Sequence, residues 1–149
     1  MKRAMEFDRM RMQDVAQVAA IERDTFAEPW SVSALEAEVR RDNSYYAVLR
    51  QGDTVLAYGG FWKVLEEGQI TNIAVRRELR GQGLGDLLVK SMKKLAASVG
   101  VERMTLEVRV SNTAAQRLYE KNGFVNAGRR PGFYGDGEDA YIYWTGDLP

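Results

Sequence analysis

The sequence predicts a mixed α/β fold, with residues 1–149 forming one domain. Segments with the two-residue alternation typical of strands are interspersed with segments whose apolar residues recur every three or four positions, as in helices. Two strand-like segments are separated only by the turn at residues 51–53, a hairpin signal that implies antiparallel pairing. A glycine-rich turn later joins a strand to a helix, and strand–helix–strand connections give parallel pairing. The expected core is therefore a mixed sheet.

The first half of the chain is predicted to hold two helices between its first strand and a hairpin. Ser31 suits the N-cap of the second helix, because Trp30 and Leu35 on either side of it can form a hydrophobic staple. The segments are, in order, a strand at residues 7–11, a helix at 14–24, a helix from 31 to about 41, and strands at 45–50 and 54–64.

The second half is predicted to continue with strands and helices in turn. Gly100 and Gly123 end two of the helices, since glycine readily takes the left-handed conformation found just after helix C-termini. Asn112 suits the N-cap of the second of these helices. The segments are a strand at residues 69–75, a helix at 84–99, a strand at 104–110, a helix from 112 to 122 and a last strand at 140–144.

The turn Arg80–Gly85, with glycine at positions 81, 83 and 85, is the clearest functional signal in the sequence. Because it opens a helix, its backbone N–H groups and the helix dipole favour a bound phosphate or pyrophosphate. A dinucleotide fingerprint is excluded because its third glycine would fall on Asp86, and a P-loop is excluded because no Gly-Lys-Ser/Thr follows. An ordinary glycine-rich turn without a ligand remains the alternative.

Composition excludes several kinds of chemistry. The 21 basic and 21 acidic residues balance, so neither nucleic-acid binding nor a polybasic membrane role is indicated. There are no cysteines and no histidines, which excludes disulfides, a thiolate nucleophile, histidine triads and histidine/cysteine zinc sites. No metal is expected, and a general base must be a carboxylate, tyrosine, lysine, terminus or water chain. Residues 1–6 lack a signal-peptide apolar stretch, so we expect a cytoplasmic protein.

The pattern R-x-x-G-x-G after a mid-chain strand resembles the acyl-coenzyme A pyrophosphate loop of the GCN5-related N-acetyltransferases (GNAT), and the order of elements matches that family along nearly the whole chain. The resemblance implies a splayed central sheet flanked by helices on both faces, with acetyl-CoA as cosubstrate. It places Ile73, Ala74 and Val75 beside the pantetheine and acetyl group. Around the pyrophosphate it places Arg80, Gly81, Gln82, Gly83, Leu84, Gly85 and Asp86.

Residues 106–112, 114–119 and 122–124 are similar to the ribosomal-protein-alanine N-acetyltransferases, the RimI type within that family. This similarity implies an acceptor that is the N-terminal α-amine of a protein, such as a ribosomal protein with N-terminal alanine. A small-molecule amine acetyltransferase and a non-catalytic acyl-CoA-binding module are the alternatives. No nucleic acid or membrane partner is expected.

Two side chains are candidates for the acid–base chemistry. Glu107 lies on the polar face of an apolar strand, where position alone favours a solvated carboxylate paired with a neighbour such as Arg109. The family resemblance implies instead that Glu107 is the general base. Tyr119 matches the position of the family's general acid, although a half-buried core tyrosine is the alternative. Asn112 is a good N-cap on sequence alone, and the resemblance implies that it contacts the cofactor if capping leaves its amide free.

Backbone N–H groups, with that of Val75 as the candidate, are expected to stabilise the oxyanion. Without a cysteine to acylate, transfer should be direct, through a ternary complex. By resemblance, Pro29, Trp30 and Tyr134 belong to the loops that hold the acceptor. Trp30 serves equally well in the staple. Glu22 interrupts the apolar face of the first helix, either approaching the acceptor amine or lying at the surface.

Overall fold

The structure, a computed structural model, describes residues 4–149; residues 1–3, part of the N-terminal segment considered above, lie outside the described residues. Seven strands form one mixed sheet in the order β1-β2-β3-β4-β5-β7-β6. The strands are β1 (Met5–Arg9), β2 (Ser44–Gln51), β3 (Thr54–Val64), β4 (Glu67–Val75), β5 (Arg103–Arg109), β6 (Phe124–Arg130) and β7 (Ala140–Thr145).

Helices cover both faces of this sheet. The helices are α1 (Val15–Thr25), α2 (Val32–Arg40), α3 (Leu84–Ser98) and α4 (Thr113–Lys121), with short 3₁₀ turns at Met12–Asp14 and Arg77–Leu79. One apolar cluster joins α1 and α2 to the sheet through residues such as Val18 and Leu35. A second cluster joins α3 and α4 to the opposite face through residues such as Leu88 and Tyr119. The expected mixed sheet with helices on both faces is confirmed.

The predicted helix ends are also found. The Ser31 side chain accepts a hydrogen bond from the Ala34 N–H at 3.1 Å, and Asn112 accepts one from the Ala115 N–H at 3.1 Å. Gly100 and Gly123 follow α3 and α4 with φ of +87° and +88°. Trp30 packs against the cluster that contains Leu35, as a hydrophobic staple requires.

Three strands differ from the sequence prediction by two residues or more. β1 covers Met5–Arg9 rather than residues 7–11, because it is these residues that pair with positions 47–51 of β2. β4 begins at Glu67 rather than at residue 69, because Glu67 and Gly68 pair with Val64 and Lys63 across a tight hairpin. β6 was not placed by the sequence patterns. Its residues alternate poorly because most of them are exposed at the edge of the sheet, where only β7 pairs with them.

Candidate active site

A gap between β4 and β5 opens the centre of the sheet. The two parallel strands pair only through Glu67 with Arg103, Gly68 with Met104, and Gln69 with Thr105. A bulge in the pairing of β3 with β4 lies immediately beyond, where Thr71 has no partner in the register. A bulge bends its strand locally. The strands therefore separate after Gln69, and the splay expected from the family resemblance is confirmed.

Backbone polar groups of β4 face this gap. The Arg76 N–H donates to the Leu56 carbonyl at 3.0 Å, so Arg76 and, two residues earlier, Ala74 direct their backbone groups towards β3. Ile73 and Val75 must then direct theirs away from β3, into the gap. Arg80 Nε donates a hydrogen bond to the Val75 carbonyl at 3.1 Å. Among the described residues, nothing pairs with the N–H groups of Ile73 and Val75 on the gap side.

A cavity of about 590 Å³ extends through the gap. It is the larger of two adjoining cavities and contacts α1, β4, β5, α4 and the segment between β6 and β7. Six residues selected from the sequence line it: Trp30, Ile73, Glu107, Asn112, Tyr119 and Tyr134. Ala74, Val75, Pro29 and residues 80–86 are not among its lining residues, so the cavity covers the centre of the predicted site but not the glycine turn.

Glu107 and Tyr119 reach this cavity from opposite faces of the sheet. Leu106 and Val108 pack into the cluster beneath α3 and α4, so Glu107, between them, points to the α1 and α2 face. Tyr119 belongs to the cluster on the α3 and α4 face. The gap connects the two faces, and both side chains can therefore act on one bound group.

The Glu107 carboxylate is partly exposed, with 28% of its side-chain surface accessible. Its ion-pair contact is Arg130 Nη2, at 3.9 Å from Oε1. Arg109 is not that partner, because its Nη1 binds Asp136 at 2.8 Å and Glu138 at 2.9 Å. The alternative of a solvated carboxylate paired with an arginine is met in part by Arg130. Glu107 thus keeps a weakly paired carboxylate directed at the cavity, as a general base requires.

Tyr119 is largely buried, and its ring packs at a tilt against Phe124, with 5.6 Å between the ring centroids. Burial raises the pKa of its hydroxyl above the ordinary value, and the nearby Tyr134 adds to this. The hydroxyl therefore stays protonated at neutral pH. In the part of the chain that the structure describes, nothing hydrogen-bonds to it, so its proton is available to a group in the cavity.

The glycine turn has the shape of an anion-binding site. Gly81 and Gly83 have φ of +79° and +83°, and a Cβ added at either would meet nothing within 4 Å. Gly83 is the N-cap of α3, so the free N–H groups of the first helical turn lie beside it. Gly85 differs, because a Cβ there would lie 3.3 Å from Leu118 Cδ2. Its small size lets α3 approach α4.

The polar side chains next to this turn are engaged within the protein. Arg80 Nη2 donates to Thr25 Oγ1 at 3.0 Å, which ties the turn to the end of α1. Asp86 pairs with Lys90 and accepts a hydrogen bond from Asn122 at 2.9 Å. Gln82, in the turn itself, is exposed, so a bound phosphate would have the backbone N–H groups and this one side-chain amide available here. Asn112 caps α4 through its oxygen and still lines the cavity, where its amide nitrogen is free of described partners.

Aromatic residues surround the side of the cavity opposite α4. The Trp30 ring lies 5.9 Å from that of Tyr46 and 6.2 Å from that of Trp62. The Arg109 guanidinium stacks 4.0 Å above the Tyr134 ring and holds the segment between β6 and β7 against β5. A second cavity of about 270 Å³ lies here and is lined in part by Trp62 and Phe133.

Several lining residues were not selected from the sequence, chiefly Thr71, Asn72 and Trp62. The signal for two of them was present, because Thr71 and Asn72 are polar residues inside an otherwise apolar strand. Glu22 was considered, but the surface alternative is wrong: its exposed fraction is 0%. A charged residue on the apolar face of a helix was the sign of a buried, hydrogen-bonded carboxylate.

Within residues 4–149, no group of histidine, cysteine, aspartate and glutamate side chains is arranged to hold a metal ion. None of the helices described is both long and apolar enough to cross a membrane.

Comparisons with known proteins give consistent results. The model of the Acetyltransferase (GNAT) family matches residues 15–124. A Bacillus subtilis protein provisionally named a ribosomal protein bS18-alanine N-acetyltransferase is 40% identical over 138 residues, 91% of each chain. The Escherichia coli ribosomal protein bS18-alanine N-acetyltransferase is 36% identical over 132 residues, 87% of this chain and 88% of its own.

A solved structure agrees with these sequences. The crystal structure of the ribosomal-protein-S18-alanine N-acetyltransferase from Escherichia coli superimposes with a TM-score of 0.87 and 31% identity, covering 97% of this chain and 94% of its own. The family match spans more than half of the chain and includes the gap, the glycine turn, Glu107 and Tyr119. The chain therefore belongs to the GNAT family of acetyltransferases.

Proposed function

We propose that this protein transfers an acetyl group from acetyl-CoA directly to the N-terminal α-amine of a protein, and that the acceptor is a ribosomal protein with N-terminal alanine. The names of the Bacillus subtilis and Escherichia coli relatives support this acceptor. Such a substrate would place the reaction in the cytoplasm.

One observation carries the proposal: Glu107 and Tyr119 line the same cavity from opposite faces of a sheet that is open between them. A protein that only bound acyl-CoA would need the glycine turn but neither of these side chains. A base and an acid directed at one gap are what amine acylation requires, because one proton must leave the nucleophile and another must reach the leaving group.

The residues present fit acetyl-CoA. Open space at Gly81 and Gly83 would let the pyrophosphate approach the backbone at the N-terminus of α3. The unpaired N–H group of Ile73 would pair with a carbonyl of the pantetheine arm, much as an added strand would, and that of Val75 is left for the acetyl group. The amide nitrogen of Asn112 would make a further contact from α4.

The chain's own groups then account for each proton. Acetyl-CoA supplies an activated acetyl group, and the neutral amine attacks its carbonyl carbon. Glu107 would take the proton that the amine nitrogen loses as the new C–N bond forms. The Val75 N–H would stabilise the negative charge on the carbonyl oxygen. Tyr119 would give its proton to the departing coenzyme A sulfur as the C–S bond breaks, which leaves N-acetylated protein and free coenzyme A.

The test is an acetyl-transfer screen with three kinds of acceptor: an alanine-led ribosomal peptide, the same peptide with a blocked N-terminus and an internal lysine, and free amines such as alanine or a polyamine. We expect kcat/KM to be highest for the first by at least about tenfold, because a protein α-amine has a pKa near 8 and is the most readily deprotonated. A preference for free amines would overturn the proposed acceptor, and absence of transfer to all three would favour a binding module.

A further inference from the structure

A buried carboxylate lies on the α1 and α2 side of the gap, beside Trp30. Glu22, on α1, has an exposed fraction of 0% and receives three hydrogen bonds. The Trp30 N–H donates to its Oε2 at 3.0 Å, while the Tyr58 hydroxyl and the Asn72 amide nitrogen both donate to its Oε1. Every partner is a donor, so Glu22 fixes three different parts of the molecule from one point.

This contact decides how the Asn72 side chain is oriented. An asparagine amide can rotate to exchange its oxygen and nitrogen, and only its hydrogen bonds determine which faces where. A carboxylate can only accept, so the amide nitrogen must face Glu22. The amide oxygen then points elsewhere, and among the described residues it has no hydrogen-bond partner. Asn72 lines both cavities.

Few polar side chains are shared by the two cavities: Thr71, Asn72, Glu107 and Tyr134. Thr71 is occupied, because its hydroxyl is bonded to Tyr46 at 2.9 Å and to the Gly60 carbonyl at 3.1 Å. Asn72 and Glu107 lie on the same side of the sheet, since the neighbour Ala74 packs with α1 and α2 while Leu106 packs on the other face. Asn72 and Glu107 thus line the junction of the two cavities from the same side of the sheet, and each carries a side-chain oxygen that can accept a hydrogen bond.

We propose that Asn72 accepts a hydrogen bond from the acceptor amine and that Glu22 is the positioning residue that makes this possible. The inference rests on the proposed amine acetylation. A neutral primary amine has two N–H bonds and one lone pair. With one N–H on the Asn72 oxygen and the other on Glu107, the lone pair is left to point into the gap, towards the acetyl carbon.

This arrangement predicts a preference that depends on the number of N–H bonds. A primary α-amine uses both acceptors, whereas a secondary amine, such as N-methylalanine at a peptide N-terminus, has a single N–H and can engage only one. The discrimination between an alanine-led and an N-methylalanine-led peptide should therefore depend on Asn72. A residue that merely supports the fold would affect both peptides to the same extent.

The test uses the full-length protein with Asn72→Ala. We expect kcat/KM for the alanine-led peptide to fall about tenfold, the effect of one lost hydrogen bond. The fall for the N-methylalanine-led peptide should be less than about twofold, and the Kd for acetyl-CoA by calorimetry should change by less than about twofold. An equal loss for both peptides, or no loss for either, would overturn the proposal.

Glu22→Gln tests the positioning role without changing the size of the side chain. Its amide can present N–H groups to Asn72, which would favour the rotated Asn72 amide, so we expect the same peptide-selective loss as in Asn72→Ala. Asp14→Asn is the matched control: Asp14 is also a buried carboxylate, bound to Arg50 at 2.7 Å, and is outside both cavities.

Asp14→Asn should lower the midpoint of thermal unfolding and leave the ratio of the two peptides unchanged. If Glu22→Gln behaves like this control, the positioning role is wrong. If the unmodified protein acetylates no peptide, the proposed function fails instead, and the two failures are distinguishable. Thermal unfolding of each variant verifies that it is folded.

Discussion

Replacing Gly83 by alanine is expected to weaken acetyl-CoA binding more than it weakens the fold. Gly83 has φ of +83° and a Cβ added there would meet nothing within 4 Å, so alanine brings conformational strain but no clash. The strain of a non-glycine residue in the left-handed region is about 1–2 kcal/mol. For a domain of this size it should lower the midpoint of thermal unfolding by roughly 2–8 °C.

Loss of binding has a different origin. The methyl group would occupy the space through which a pyrophosphate approaches the N–H groups at the start of α3. A hydrogen bond to a charged group contributes about 1.5–3 kcal/mol, so losing one should raise the Kd about 10- to 100-fold. Titration calorimetry with acetyl-CoA measures this directly, and a thermal scan of the same sample gives the stability.

Gly123→Ala is the matched control. Gly123 has φ of +88°, and a Cβ there would make only an ordinary contact, 3.6 Å from Lys93 Nζ. It lies after α4 and outside the glycine turn; the preceding Asn122 bonds Asp86, but a Cβ at Gly123 would contact Lys93 rather than a residue of the turn. The two variants should lose similar stability, but only Gly83→Ala should lose affinity. Equal acetyl-CoA affinities in the two would refute the assignment of the turn to the pyrophosphate.

Three further predictions concern the side chains of the gap. Glu107→Gln should lower kcat at neutral pH by about 10²- to 10⁴-fold without changing the Kd for acetyl-CoA, because only proton removal is lost; unchanged turnover would exclude this base. Tyr119→Phe should lower kcat but not thermal stability, since no described hydrogen bond is broken. Because burial raises the pKa of Tyr119, deprotonation of this hydroxyl should not lower kcat below about pH 10. A fall in kcat below that pH in the unmodified protein that is absent in Tyr119→Phe would contradict this. Arg109→Ala removes the guanidinium that stacks on the Tyr134 ring, so it should raise the KM for the acceptor peptide and leave the KM for acetyl-CoA unchanged. An equal rise in both KM values would contradict a role of this stacking in holding the acceptor.

The sequence predicted those parts of the fold in which local and tertiary preferences agree. In β5, alternate residues Met104, Leu106 and Val108 are apolar and do face one cluster. The caps Ser31 and Asn112 depend on a few adjacent residues and were found as expected. Where the signal was weak the prediction failed: β6 lies at the edge of the sheet, and its side chains have little apolar surface to bury.

The site residues that belong to sequence motifs could be predicted, but the contacts between residues far apart in the sequence could not. Spacing and family resemblance selected Glu107 and Tyr119, and the cavity lined by both is consistent with that selection. The partners of Glu22 could not be found in this way, because Asn72 is fifty positions further along the chain. Such a contact depends on how α1 packs on the sheet, and no local pattern records it.

The short pairing of β4 with β5 also bears on how the protein is assembled. The four strands on one side of the gap come from the first half of the chain, and the three on the other side come from the second half. During synthesis, β4 therefore has an unpaired edge until α3 and β5 have been translated. Even afterwards its last residues remain an unpaired edge, but one that faces β5 across the gap instead of lying at the rim of the sheet, where another sheet could pair with it. Catalysis by this fold thus depends on backbone groups that are left unpaired between two central strands, and not at the outer edges of the sheet.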